Sequence, residues 1–172
     1  MLSYVPASEP RIRPVEPRDL SRLTDIYNQY VGDGAVTFDT RPFLAEERRG
    51  WLAQFAERGP HRLFVAERDG VVQGYAGSMR FRGKPAYETS VETTIYVAPE
   101  ATGRGLGALL YQALFASLRG EDLHRAYAGI TLPNEASLRL HERFTFRRVA
   151  LYHEVGRKAG RYWDVAWYEK AL

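Results

Sequence analysis

Val97-Ala98-Pro99-Glu100-Ala101-Thr102-Gly103-Arg104-Gly105-Leu106-Gly107 runs from a β-branched segment through glycines directly into an apolar helix. The opening N–H groups of a helix lack intrahelical partners, and glycines let an oxygen-rich ligand approach them with no Cβ in the way. The stretch therefore reads as an anion site, with phosphate the obvious guest; the structural alternative is a bend that only permits tight packing. No Gly-Lys-Ser or Gly-Lys-Thr follows, so it is not a P-loop. Its place in mid-chain behind a hairpin does not match a Rossmann opening unit.

Upstream, alternation predicts a strand over 87–97, with Val91, Thr93, Ile95 and Val97 on one face and Ser90, Glu92, Thr94 and Tyr96 on the other. Before it, 62–67 and 71–81 are β-rich runs separated by Arg68-Asp69-Gly70, whose Asp-Gly step signals a hairpin. Downstream, Leu106, Leu109, Leu110, Ala113, Leu114, Ser117 and Leu118 repeat with helical period up to Gly120. A strand over 125–132 follows, and Pro133-Asn134 opens a helix to about 143 with Asn134 as its cap. Strands over 147–155 and 161–169 flank the turn Lys158-Ala159-Gly160. Amphipathic helices are expected over 19–31 and 42–57, the second behind Thr40 as cap. The order predicts one domain over 1–172, residues 1–10 extended or poorly ordered, with helices packed on a mixed sheet in an α/β or α+β arrangement.

Composition removes several classes of chemistry. With 172 residues and 45% hydrophobic content the chain suits one sizeable core. It has no cysteine, which excludes disulfides and thiolate catalysis, and His61, His124, His141 and His153 lack metal-ligand spacing, so no metal is expected. Twenty-four basic against twenty-one acidic side chains give +3, too weak a balance to argue for nucleic acid. Neither a signal-peptide core nor a membrane-length apolar run is present, so the protein is expected in the cytoplasm.

Strand, glycine turn and Pro-Asn helix together resemble the GNAT superfamily of N-acetyltransferases, whose signature is Gln or Arg, two residues, Gly, one residue, then Gly or Ala. Here it reads Thr102-Gly103-Arg104-Gly105-Leu106-Gly107, with Thr102 in the place of the usual Gln or Arg. The resemblance covers most of the chain and is closest to the phosphinothricin and methionine sulfoximine acetyltransferase branch. It rests on Tyr30-Val31 through Val36-Thr37-Phe38, Tyr75-Ala76-Gly77 through Arg82 and Tyr87, Glu92 to Val97, and Leu132-Pro133-Asn134 through His141-Glu142. Gly156, Lys158, Gly160, Asp164 and Val165 continue it in the tail. Phe144-Thr145-Phe146 departs from the usual Leu-Gly-Phe or Leu-Gly-Tyr.

The resemblance implies an acyl-CoA N-acyltransferase fold, a mixed and mostly antiparallel sheet flanked by helices, and acetyl-CoA as co-substrate. It assigns the coenzyme to Ile95, Tyr96, Val97, Gly103, Arg104, Gly105, Gly107, Ala108, Asn134 and Ser137, and the acceptor to Thr37, Phe38, Arg82 and Tyr87. Glu92 is the implied base. An amine with a pKa of about 8 to 10 must first lose a proton, costing roughly 1.4 to 4 kcal/mol at pH 7, and a positioned carboxylate gives that proton a destination. His141 stands where many members carry a tyrosine thought to protonate the leaving thiolate; a hydrogen-bonded structural histidine is the alternative. Arg82 is expected to fork a substrate carboxylate. The implied reaction is direct acetyl transfer through a tetrahedral intermediate to the amino group of a small amino acid or analogue, in a homodimer. A protein N-terminus, a polyamine or an aminoglycoside as acceptor, or a noncatalytic coenzyme A sensor, are the alternatives.

Overall fold

Asp69 and Gly70 both take left-handed backbone, φ 51° and 77°, and so close the hairpin between β2 (Leu63–Arg68) and β3 (Val71–Arg80). Two successive positive φ values match the twist of the flanking strands, which is why an Asp-Gly step sits there. A computed structural model of the chain describes residues 8–32 and 34–172. The expectation for residues 1–10 falls mostly on 1–7, which lie outside the described residues.

Around this hairpin the chain builds one seven-stranded mixed sheet in the order β1-β2-β3-β4-β5-β7-β6. The remaining strands are β1 (Arg11–Pro14), β4 (Ser90–Val97), β5 (Arg125–Thr131), β6 (Arg147–Lys158) and β7 (Arg161–Ala171). All neighbours are antiparallel except β4 and β5. The short Arg-Ile-Arg-Pro strand was not expected, having no β-rich run. Its charge is neutralised: the buried Arg13 guanidinium donates to both Asp19 oxygens at 2.8 and 2.9 Å and to Glu67 at 2.6 Å.

Helix α1 is Leu20–Asn28, α3 Leu106–Ser117 and α4 Glu135–Arg143. The long helix expected over 42–57 is a correction: a 3-10 turn, Ala45–Arg48, runs into α2, only Arg49–Leu52. Gly50 weakens the helix interior by about 1 kcal/mol. The entry is capped by Glu47, whose carboxylate accepts the Leu44 N–H at 2.7 Å, not by Thr40. Likewise β4 begins at Ser90 because Pro85–Tyr87 forms a 3-10 turn, which takes Tyr87 off the strand. Helices α1 and α3 pack against β3 and β4, with Tyr27 of α1 meeting Tyr96 and Tyr111 of α3 meeting Thr93, so the alternation of β4 divides its side chains between the helices. Leu106, Leu110, Tyr111 and Leu114 anchor α3 in the core. Each such fully buried leucine contributes about 1.5 to 3 kcal/mol.

One topological feature positions the site. The parallel strands β4 and β5 pair over only three positions, Ser90 with Arg125, Val91 with Ala126 and Glu92 with Tyr127. Beyond Glu92 they part company.

Candidate active site

The wedge between β4 and β5 opens a cleft of about 650 Å³, floored by Thr93 to Val97 and Ala128 to Thr131 and closed at its ends by the glycine turn and α4. Along this wedge the backbone of β4 lacks a strand neighbour on one side, leaving an extended edge to which a linear ligand can hydrogen-bond.

The glycine turn is built for approach from outside. Gly103 and Gly105 have φ 74° and 78°, and a Cβ on either would stand in open space, so internal packing does not require glycine there. Gly105 opens α3, presenting unpartnered N–H groups and the positive end of the helix dipole. Gly107 differs, since a Cβ there would come within 3.1 Å of Leu140 on α4, making it a close-packing glycine. The Ala108 N–H turns to Gly105 O at 3.1 Å. Thr102 spends its hydroxyl on Pro99 O at 2.8 Å, bracing the turn. Across the cleft Asn134 caps α4, its Oδ1 accepting the Ser137 N–H at 3.2 Å, which leaves its amide nitrogen free of that bond.

Glu92 sits at the point of divergence, opposite Met79 on β3 and Tyr127 on β5. Its carboxylate has no hydrogen-bond or ion-pair partner among the described residues. Burial pushes its pKa up and the nearby Arg82 pulls it partway back. A carboxylate held above its ordinary range by desolvation suits proton abstraction near neutrality.

His141 is placed differently from a free acid. Only 3% exposed, it holds Ser137 O at 2.8 Å through Nδ1 and Tyr111 Oη at 2.8 Å through Nε2. A carbonyl only accepts, so Nδ1 carries the hydrogen; in the neutral ring Nε2 then takes the one Tyr111 hydroxyl hydrogen at 2.8 Å in preference to Thr93 Oγ1 at 3.4 Å. Burial lowers the imidazole pKa against the opposing effect of the Ser137 carbonyl, so the ring is neutral and both nitrogens are engaged within the wall.

A second cavity of about 330 Å³ meets the cleft at Met79, Thr94 and Tyr96, and runs under α1 and α2 to Tyr27, Asp39, Arg48, Trp51 and Tyr75. Tyr27 Oη contacts Thr37 Oγ1 at 2.5 Å and donates to Asp39. Burial first, then the Asp39 carboxylate, pushes its pKa up to about 12. Of the expected acceptor residues, Thr37 is buried behind this cavity, tied through its carbonyl to Lys158 Nζ at 2.7 Å. Phe38 packs over Gly156, where any Cβ would strike its ring. Arg82 and Tyr87 line neither cavity: both are exposed, and Arg82 lies 4.2 Å over the Phe81 ring, itself stacked on Tyr127. Arg48, Tyr27, Asp39 and Tyr75 went unassigned in the sequence. One signal was there: helical spacing sets Arg48 on the same face as Leu44, Trp51 and Phe55, a cation in an apolar stripe.

A parallel pair splayed beside a glycine turn, with an unpaired carboxylate at the fork, defines an acyl-group transferase of the acetyl-CoA type. Residues 23–146 match the model of the Acetyltransferase (GNAT) family, and the chain belongs to that family. It is 60% identical to a phosphinothricin N-acetyltransferase of Streptomyces coelicolor, over 96% of this chain and 98% of that one. It is 33% identical to an L-methionine sulfoximine/L-methionine sulfone acetyltransferase of Salmonella typhimurium, over 94% of each. Its structure is similar to that of an acetyltransferase from Salmonella typhimurium solved with its cofactor acetyl-CoA, with a TM-score of 0.89 and 32% identity over 96% and 95% of the two chains.

Proposed function

We propose that this enzyme transfers acetyl from acetyl-CoA to the α-amino group of a small amino acid or amino acid analogue of the phosphinothricin and methionine sulfoximine type. The observation that carries the reading is Glu92, an unpaired, half-buried carboxylate where the cleft adjoins the acceptor cavity.

The cleft suits a pyrophosphate on a long flexible arm. The N–H groups around Gly103, Arg104, Gly105 and Gly107 face the diphosphate, each hydrogen bond to a charged partner contributing about 1.5 to 3 kcal/mol. The open edge at Ile95, Tyr96 and Val97 holds the arm's amides, and Asn134 and Ser137 face it from α4. Bound there, acetyl-CoA supplies an electrophilic thioester carbonyl and a thiolate leaving group. Glu92 takes the ammonium proton, directly or through one water. The freed amine then has its lone pair directed along β4 toward the acyl carbon. As the C–S bond breaks, the nitrogen sheds its second proton, which balances the charge on sulfur, so the stoichiometry needs no separate acid. His141, neutral and bonded on both sides, serves this reading by fixing Tyr111 and the first turns of α4 behind the arm. Thr37, through its contact with Tyr27, and Phe38 back the acceptor end from behind its lining, while Arg82 and Tyr87 lie outside it and Arg82 acts through its charge on Glu92.

The enzyme acts as a homodimer in this reading. Val149, Tyr152 and Val155 of the edge strand β6, with Tyr162 of β7, supply exposed apolar area for the contact. No helix among the described residues is long and apolar enough to cross a membrane, and we place the enzyme in the cytoplasm.

A thiol-release assay tests the reading with no background from the protein, which has no cysteine. Phosphinothricin and methionine sulfoximine should be acetylated faster than any polyamine, aminoglycoside or peptide N-terminus. A polyamine outrunning every amino acid would overturn the acceptor assignment, and binding of acetyl-CoA without turnover of any amine would overturn the enzyme.

A further inference from the structure

Among the described residues no carboxylate is paired with the buried guanidinium of Arg48. The residue is 7% exposed, its guanidinium lies 4.5 Å over the Tyr27 ring and 4.0 Å over the Trp51 ring, and its hydrogen bond to Leu23 O is long at 3.4 Å. The carboxylates that share its cavity are committed elsewhere. Asp39 accepts the Tyr27 hydroxyl, and Glu47 is forked by Arg41 at 2.8 and 3.1 Å and also holds the Leu44 N–H. In the same wall Tyr75 Oη is fully buried and, among the described residues, makes no hydrogen bond of good geometry; burial raises its pKa, and its polar neighbour, the Arg48 guanidinium, pulls it partway back. Stacking on two rings offsets part of the desolvation of a guanidinium, but it satisfies none of its five N–H donors. A buried donor left unmet is costly, and a buried charge more so.

We propose that Arg48 and Tyr75 Oη form an oxo-group subsite that binds the P–O or S–O oxygens at the end of the acceptor remote from its amine. The proposal rests on the amino acid acetyltransferase reading above and deepens it. With the amine at Glu92, an acceptor side chain that passes Met79, Thr94 and Tyr96 enters the cavity whose far wall is Arg48. A planar guanidinium offers two parallel donors to two oxygens on one tetrahedral phosphorus or sulfur, and the tyrosine hydroxyl adds a third. An alkyl or thioether tail of the same length would leave all three unmet.

Methionine sulfone and methionine test this directly, since they share head and chain and differ only in the two oxygens on sulfur. The quantity read is the ratio of kcat/KM for the sulfone to that for methionine. Arg48→Gln should cut the ratio by about 100-fold and Tyr75→Phe by about 10-fold, the range expected when a site loses a charged or a neutral donor to a buried oxygen. Tyr75→Phe leaves the ring contacts of the residue with Trp51 and Tyr96 in place, so its melting temperature should stay close to that of wild type while the ratio falls, which no purely structural role predicts. Binding is read separately, without turnover, from quenching of Trp51 by dimethylphosphinate, with W51F as the blank. Unchanged ratios in both variants, or quenching that is indifferent to Arg48→Gln, would overturn the subsite and leave the acetyltransferase standing. A wild-type enzyme that acetylates no amino acid yet binds dimethylphosphinate through Arg48 would overturn the parent reading and keep the subsite.

Discussion

The cleft under the glycine turn and the cavity under α1 and α2 meet at Met79, Thr94 and Tyr96, yet they are made of different material. The cleft presents backbone: a strand edge exposed by divergence, and amides exposed by two left-handed glycines. The cavity presents side chains from separate segments: Tyr27 bonded to Asp39 and lying under Arg48, and Tyr75 packed against Trp51 and Tyr96. Backbone recognition depends on conformation, so it should survive a change such as Thr102, whose hydroxyl is bonded to Pro99 O within the turn. Side-chain recognition depends on identity, and a single substitution there changes what is recognised.

The largest effect should come from breaking the backbone side. Gly105→Glu puts a side chain and a negative charge where the proposed site receives phosphate oxygens, and forces a non-glycine residue into φ 78°. Acetyl-CoA affinity should fall by more than about 1,000-fold, and stabilisation of the protein against heat by the ligand should vanish. Thr102→Ala, one turn earlier, should change affinity by less than about threefold. Calorimetric titration measures both. Comparable losses in the two variants would mean that side chains matter in the cleft as much as conformation does.

Glu92 belongs to both regions. Glu92→Gln should lower kcat at pH 7 by about 100-fold, leave acetyl-CoA affinity nearly intact, and recover in part at high pH where the amine is already neutral. Burial raises the carboxyl pKa in the folded state, so the native protein holds this proton more tightly than the unfolded chain. Stability contributed by Glu92 is therefore lost as pH rises through that raised pKa, and Glu92→Gln should melt at a higher temperature than wild type at pH 7. In kcat/KM the acid limb should lie above the ordinary carboxylate range. Arg82→Ala removes the charge that pulls Glu92 down, so it should move that limb to higher pH. An unmoved limb would detach Arg82 from the chemistry.

What could be read in advance divides along the same line. The glycine turn, the Asp-Gly hairpin and the Asn134 cap are local: a few consecutive residues set their dihedrals, and the structure has all three where they were expected. The fork at Glu92 was half legible, because alternation gave the facing of β4 but not the point at which β5 leaves it. The cavity proposed for the acceptor was not legible. Arg48 and Tyr75 become neighbours only when α2 docks on β3, and the pattern over 42–57 suggested a longer helix than α2. Arg82 matched its motif yet lies on Phe81 outside both cavities, since a motif records spacing along the chain and not the direction of a side chain.

Thr145 supplies the smallest test, at a motif position outside both regions. The family pattern has glycine there, and the structure gives the reason: Thr145 sits at φ 65°, left-handed backbone that a β-branched residue rarely adopts. That conformation costs a non-glycine residue about 1 to 2 kcal/mol. Against this, Thr145→Gly loosens the unfolded chain by about 0.5 to 1 kcal/mol and gives up an exposed hydrogen bond from Lys170 Nζ to Thr145 Oγ1, 2.9 Å long. The balance favours glycine by about 0.5 kcal/mol, a rise of about 1 to 2 °C in melting temperature for a chain of this size. Neither acetyl-CoA affinity nor the sulfone-to-methionine ratio should move, because the residue touches neither cavity. A fall in melting temperature would mean that the Lys170 contact outweighs the strain. A change in acetyl-CoA affinity would mean that the end of α4 transmits its geometry to Asn134, and that the backbone region extends farther than the cleft itself.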